Sequence, residues 1–203
     1  MTKNFILSSF GLGLLLFIPL TLAATAKVTP STSLPFIFFK ENLKITLNEG
    51  EMQVEGDYYF RNQSNASFNS PVFYPLLANE LMPFPHHIEV KGKKFYKSSE
   101  GIYWEIVFNK PQEEQKVHVL YRQKLLASKA IYIVTSTQAW GTPLEWAEFE
   151  VNFPAAWGQL KTSYPMTVVK EEKWRKYWRF TAKNFWPKQD MVFSWSQLRG
   201  KPQ

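Results

Sequence analysis

From Phe36 to Trp195 the chain repeats one pattern, apolar side chains at alternate positions in short runs separated by polar or glycine-bearing breaks. On an extended backbone every second side chain falls on the same face, so this period of two calls for strands with one oily and one wet face. Leu43, Ile45 and Leu47 alternate with Lys44 and Thr46, Asn48-Glu49-Gly50 forms a turn, and Met52, Val54, Tyr58 and Phe60 resume the alternation, which predicts a β-hairpin. Gly56 inside the second run predicts a bulge or a close backbone contact. Ile102, Trp104, Ile106 and Phe108 alternate most cleanly, with Tyr103, Glu105 and Val107 opposite. Further strands are expected over 72–76, at Ile88 and Val90 with a return at Phe95, and over 117–123, 131–137, 144–153, 178–180 and 191–195. The stretches 62–70, 109–115 and 154–163 read as loops or turns, and 76–81 has room for a single helical turn. The sum is about nine to eleven short strands at the spacing of a sandwich or barrel, without a sustained helical period or a solenoid-length repeat.

The order of segments also resembles secreted bacterial proteins of unknown function that fold as an immunoglobulin-like sandwich. The likeness rests on Tyr58-x-Phe60-x-Asn62, Phe73-x-Pro75-Leu76, Ile88-x-Val90, Tyr103-Trp104-x-Ile106 and Val117-x-Val119-x-Tyr121. Trp140-Gly141-x-Pro143-Leu144 and Ala147-x-Phe149-x-Val151 continue it. The resemblance implies an all-β, immunoglobulin-like antiparallel β-sandwich and no particular activity, because a shared fold does not confer one.

The N-terminus has a different character. Lys3 sits in a short polar start, and the apolar run Phe5–Leu22 is broken by Ser8, Ser9, Gly11, Gly13 and Pro19 before the small-x-small Ala24-Thr25-Ala26. A membrane anchor needs about 20 continuous apolar residues, so this is expected to be a cleavable secretory signal peptide over 1–26. A Thr/Ser/Pro linker over 27–35, one β-sandwich domain over 36–197 and a tail over 198–203 complete the expected organisation, in a periplasmic or extracellular protein. Cysteine is absent although export favours disulfides, so stability must come from burial, for which 17 Phe, 9 Tyr and 8 Trp supply ample apolar area.

A formal charge of +7 favours anionic partners such as an acidic glycan or lipid headgroups, and also lies in the range that keeps a domain in solution. The basic and aromatic segment Lys170–Arg179 is chemically the most distinctive. Its candidate binding residues are Trp174, Arg175, Lys176, Trp178 and Arg179, whose rings can stack on sugars while their cations pair with anions. As a strand it puts Trp174, Lys176, Trp178 and Phe180 on one face and Arg175, Tyr177 and Arg179 on the other. The same pattern suits an edge strand with inward aromatics and protective charges, the more ordinary reading.

Catalytic signatures are absent. His86 and His87 point to opposite faces of an extended chain, His118 is the only other histidine, and no metal or other cofactor is expected. Asp57 and Asp190 are the only aspartates, while Glu105, Glu148 and Glu150 occupy solvent-facing strand positions. Serine-nucleophile and phosphate-binding glycine motifs do not occur. Trp140 and Trp186 stand at turns, and Asn62-Gln63-Ser64 and Asn65-Ala66-Ser67 are glycosylation sequons. The expected function is therefore an exported, non-enzymatic binding or structural module, with an anionic glycan, a membrane surface or an envelope protein as partner and no nucleic acid. The alternatives are a secreted polysaccharide-acting hydrolase, which requires a pocket with two carboxyl groups, and an accessory subunit of an envelope complex, which requires a contiguous apolar patch.

Overall fold

The structure, a computed structural model, describes residues 34–157 and 159–196. The expected signal peptide, residues 27–33 of the expected linker and the C-terminal tail lie outside the described residues. The described chain runs β1 (Phe36–Asn48), β2 (Glu51–Asn62), β3 (Phe68–Pro75), β4 (His87–Val90), β5 (Phe95–Lys97), β6 (Gly101–Phe108) and β7 (Glu114–Lys124). It continues through β8 (Lys129–Tyr132), a short 3-10 turn (Thr135–Trp140), β9 (Leu144–Pro154), β10 (Lys161–Thr162), β11 (Thr167–Glu171), β12 (Arg175–Phe185) and β13 (Met191–Ser194).

The architecture is an all-β sandwich. One layer is a seven-stranded sheet in the order β11-β12-β9-β1-β2-β7-β4. Its spine is the expected hairpin, in which β1 and β2 pair from Asn48↔Glu51 to Phe36↔Asn62 and Gly50 turns the chain in the left-handed region at φ 71°. Among the described residues every pairing is antiparallel except that of β1 with β9, which is parallel. The second layer is split into two three-stranded sheets, β3-β6-β5 and β10-β13-β8. Inward residues of both layers, among them Ile45, Val54, Ile106, Phe149 and Phe193, join a single buried core.

Thirteen strands appear among the described residues. The two beyond the expected range are β10 and β11. All five residues of β11 are exposed, so that strand is held by backbone pairing to β12 and has no oily face to register as alternation. Strand β8 ends at Tyr132, before the expected Thr137, because Asp190 pulls the chain out of line. Its Oδ1 accepts hydrogen bonds from the Val134 and Thr135 amides at 3.2 and 3.1 Å and from the Thr135 hydroxyl at 2.6 Å. No helical turn forms over 76–81, where Asn79 Oδ1 instead accepts from the Leu81 and Met82 amides, both at 2.9 Å. Asn62, read as a glycosylation acceptor, is fully buried and donates to the carbonyls of Ala66 and Lys110 at 2.9 and 2.8 Å, which removes it from the surface.

Candidate functional site

A β-bulge sets up the site. Phe38 pairs with Phe60 and Lys40 with Tyr59, so Phe39 is an extra residue that reverses the inward parity of β1. Phe36 and Phe38 face inward before it; Glu41, Leu43, Ile45 and Leu47 face inward after it. Glu41 is thereby delivered into the core, 1% exposed, directly opposite Tyr58 on β2.

Four strands converge there. Tyr132 of β8 donates to Glu41 Oε1 at 2.6 Å. The Tyr58 hydroxyl lies 3.0 Å from that of Tyr132 and 2.7 Å from that of Tyr74 on β3. A phenol has one proton, and that of Tyr132 is committed to the carboxyl, so Tyr132 accepts from its neighbours, Tyr58 and the Tyr74 hydroxyl 3.5 Å away. The result is a directed chain of hydroxyls that ends on Oε1. Oε2, equally buried, has no protein partner. Burial pushes the Glu41 carboxyl up to about 7, against the opposing pull of the Tyr132 hydrogen bond. Burial likewise drives the hydroxyls of Tyr58, Tyr74, Tyr121 and Tyr132 well above the ordinary phenol value, so all four stay protonated at neutral pH.

Glycine makes this geometry accessible. The Tyr58 ring lies back over Gly56 on the inward face, where a Cβ would overlap the ring and its hydroxyl. The expected close contact at Gly56 is thus a tyrosine laid flat along its own strand.

Glu41 and the tyrosines form the polar end of a cavity of about 410 Å³, within the range of small-molecule sites. The cavity lies at the split in the second layer, where β3 is the edge of one small sheet and β8 the edge of the other. Phe36, Phe38 and Phe60 line it from the large sheet, Trp104 from β6 and Trp140 from the 3-10 turn. The indole N–H of Trp104 is buried without an acceptor. Exposed lining residues, Pro71 and Phe73 on β3 and Ala139 on the turn, mark the mouth. Glu41 is the one carboxyl among the described lining residues, so the paired acids required of a hydrolase are not brought together here.

The sequence-predicted residues lie elsewhere, on and beside β12, which β11 covers at the sheet edge. Trp178 turns inward and meets Phe153 edge-on, with ring centroids 5.1 Å apart. Arg175 clasps three strands together: its guanidinium donates to Asn152 Oδ1 at 2.8 Å, Asn48 Oδ1 at 3.0 Å and the Leu47 carbonyl at 3.0 Å. Arg179 pairs with Glu150 at 3.0 Å and Glu148 at 3.5 Å, and Lys176 approaches Glu171 at 3.8 Å. Trp174 remains 73% exposed beneath the Lys173 ammonium. Trp174, expected on the strand, lies in the bend before β12, and the five residues do not share one surface. Replacing Arg175 with Ala is expected to lower unfolding free energy by about 2 kcal/mol in a urea titration, because buried carbonyl and amide acceptors lose a charged donor.

His118 Nδ1 lies 2.8 Å from Asp57 and its Nε2 3.7 Å from Glu55, while His86 sits 3.4 Å from Glu51. Among the described residues no cluster of three or more potential ligands is arranged to hold a metal ion. On the outer face of β3-β6-β5, the Phe73 and Tyr103 rings meet at a tilt, with centroids 4.7 Å apart, beside the exposed Tyr96, an apolar patch.

No protein-family model matches the chain, and no curated protein is significantly similar to it. Solved structures share its fold. A Legionella pneumophila protein described provisionally as a nutrient binding protein superposes with a TM-score of 0.60 at 12% identity, over 79% of this chain and 67% of that one. An M1 zinc metallopeptidase from Deinococcus radiodurans superposes with a TM-score of 0.52 at 12% identity, over 79% of this chain but only 42% of its own length. At such identity the likeness concerns the fold.

Proposed function

We propose that the protein is an exported, non-enzymatic binding module that takes a compact, largely apolar ligand into the cavity between β3 and β8. The observation that carries this reading is a built polar end in an otherwise aromatic cavity: a buried carboxyl oriented by a chain of three tyrosine hydroxyls, with one oxygen left unpartnered. A purely structural core would bury apolar side chains there at lower cost. The fold shared with a protein described in terms of nutrient binding agrees with it. The metallopeptidase that shares the fold supplies the hydrolase alternative, which the single carboxyl of the cavity does not favour.

The neutral dye N-phenyl-1-naphthylamine is expected to brighten on entering the cavity and to draw excitation energy from Trp104 and Trp140, which line it. Ser136→Phe, which adds a ring to the lining, is expected to weaken dye binding at least about tenfold while the melting temperature stays within a few degrees. Equal dye binding by the plugged variant would defeat the assignment to this cavity.

A further inference from the structure

We infer that the ligand is an organic cation, an amine or alkylammonium group on a small apolar body, whose charge is set against Glu41 Oε2 while its body lies among the aromatic rings. The inference rests on the binding reading above and specifies its chemistry.

Three observations converge. First, Glu41 has no counter-charge among the described residues. The described residues of the cavity lining include no lysine, arginine or histidine, and none of the ion pairs found among the described residues involves it. A carboxylate in such surroundings is expensive unless a cation comes to it. Second, the hydroxyl chain directs its last proton to Oε1, which leaves Oε2 as a buried acceptor without a protein partner, on a residue that lines the cavity. Third, the walls are aromatic. Phe36, Phe38, Phe60, Trp104 and Trp140 line the cavity, and the π faces of such rings attract alkylammonium groups and disfavour anions. An anionic ligand would meet Glu41 with like charge, and a neutral acceptor would require the acid in its protonated form.

The charge state of the site in the physiological range turns on Glu41 alone. The groups that face it are Tyr58 from β2, Tyr74 from β3, Tyr121 from β7 and Tyr132 from β8, with Ala147 beside it on β9. Each of those phenols is held well above its ordinary value, so none ionises between pH 5 and 8. The carboxyl itself, at about 7, changes charge within that window.

The test displaces N-phenyl-1-naphthylamine from the full chain with three probes of similar size: 2-phenylethylamine, 2-phenylethanol and 3-phenylpropanoate. At pH 8 the amine is expected to bind at least about tenfold more tightly than the alcohol, and the carboxylate not to compete. Between pH 8 and pH 5 the amine keeps its proton while Glu41 gains one, so its affinity is expected to fall on the order of 100-fold. Glu41→Gln is expected to abolish both the amine preference and the pH dependence. The inference is overturned if alcohol or carboxylate matches the amine at pH 8, if amine affinity rises toward pH 5, or if Glu41→Gln retains the preference. In those cases dye binding by the wild type leaves the cavity reading standing. A wild type that binds neither dye nor amine overturns both.

Discussion

Glu41→Gln is expected to melt at a higher temperature than the wild type at pH 8 and at the same temperature at pH 4. The folded carboxyl titrates at about 7 against an ordinary value of 4.5, with burial the leading cause. Between those values the folded state holds a proton that the unfolded chain has released, so stability falls as pH rises through the window. By pH 8 the loss amounts to about 3 kcal/mol. Glutamine imitates the protonated acid: its carbonyl still accepts from Tyr132, and it carries no charge to desolvate. For a domain of this size the gain corresponds to roughly 6–12 °C in melting temperature. Calorimetry of both proteins at the two pH values measures it. Equal melting temperatures at pH 8 would mean that the carboxyl is not strained by burial, and the case for a ligand with positive charge would weaken with it. A side chain that lowers the stability of its own fold at neutral pH has its use outside the fold.

The same residue shows where a sequence reading stops. Glu41 stands in phase with Leu43, Ile45 and Leu47, so the parity of the hairpin already marks it as inward. What hides it is the bulge at Phe39, which places Phe36 and Phe38 inward on the opposite parity and makes the start of β1 look irregular. Tyr58 and Gly56 stand in an alternating run, but that the ring lies over the glycine depends on its rotamer. The partners Tyr74 and Tyr132 come from strands far along the chain, and only the packing of the split second layer brings their hydroxyls to Glu41. The segment Trp174–Arg179 is conspicuous for the converse reason. Its charges are dense in sequence, yet Arg175 serves β9, which pairs with β12, and β1, which β9 joins by a parallel pairing that no local pattern encodes. Local periodicity therefore identifies which residues face inward. It does not identify which inward residues meet.

Gly56→Ala is expected to cost about 3 kcal/mol, far more than the usual effect of exchanging glycine for alanine in a strand, which favours alanine. The added methyl would overlap three atoms of the Tyr58 side chain, a buried ring whose hydroxyl links Tyr74 to Tyr132. If the ring lifts to make room, the chain of hydroxyls breaks, and Tyr132 is left to hold Glu41 without its own donor. The cause can be isolated by a double-mutant cycle with Tyr58→Val, which removes the ring. In that background Gly56→Ala is expected to be neutral or slightly stabilising, so the coupling between the two positions, read from urea titrations, should approach the whole cost of the single change. Additive effects would instead assign the cost of alanine to backbone conformation. The overlap of ring and glycine would then have no energetic consequence, and Glu41 would owe its orientation to Tyr132 alone.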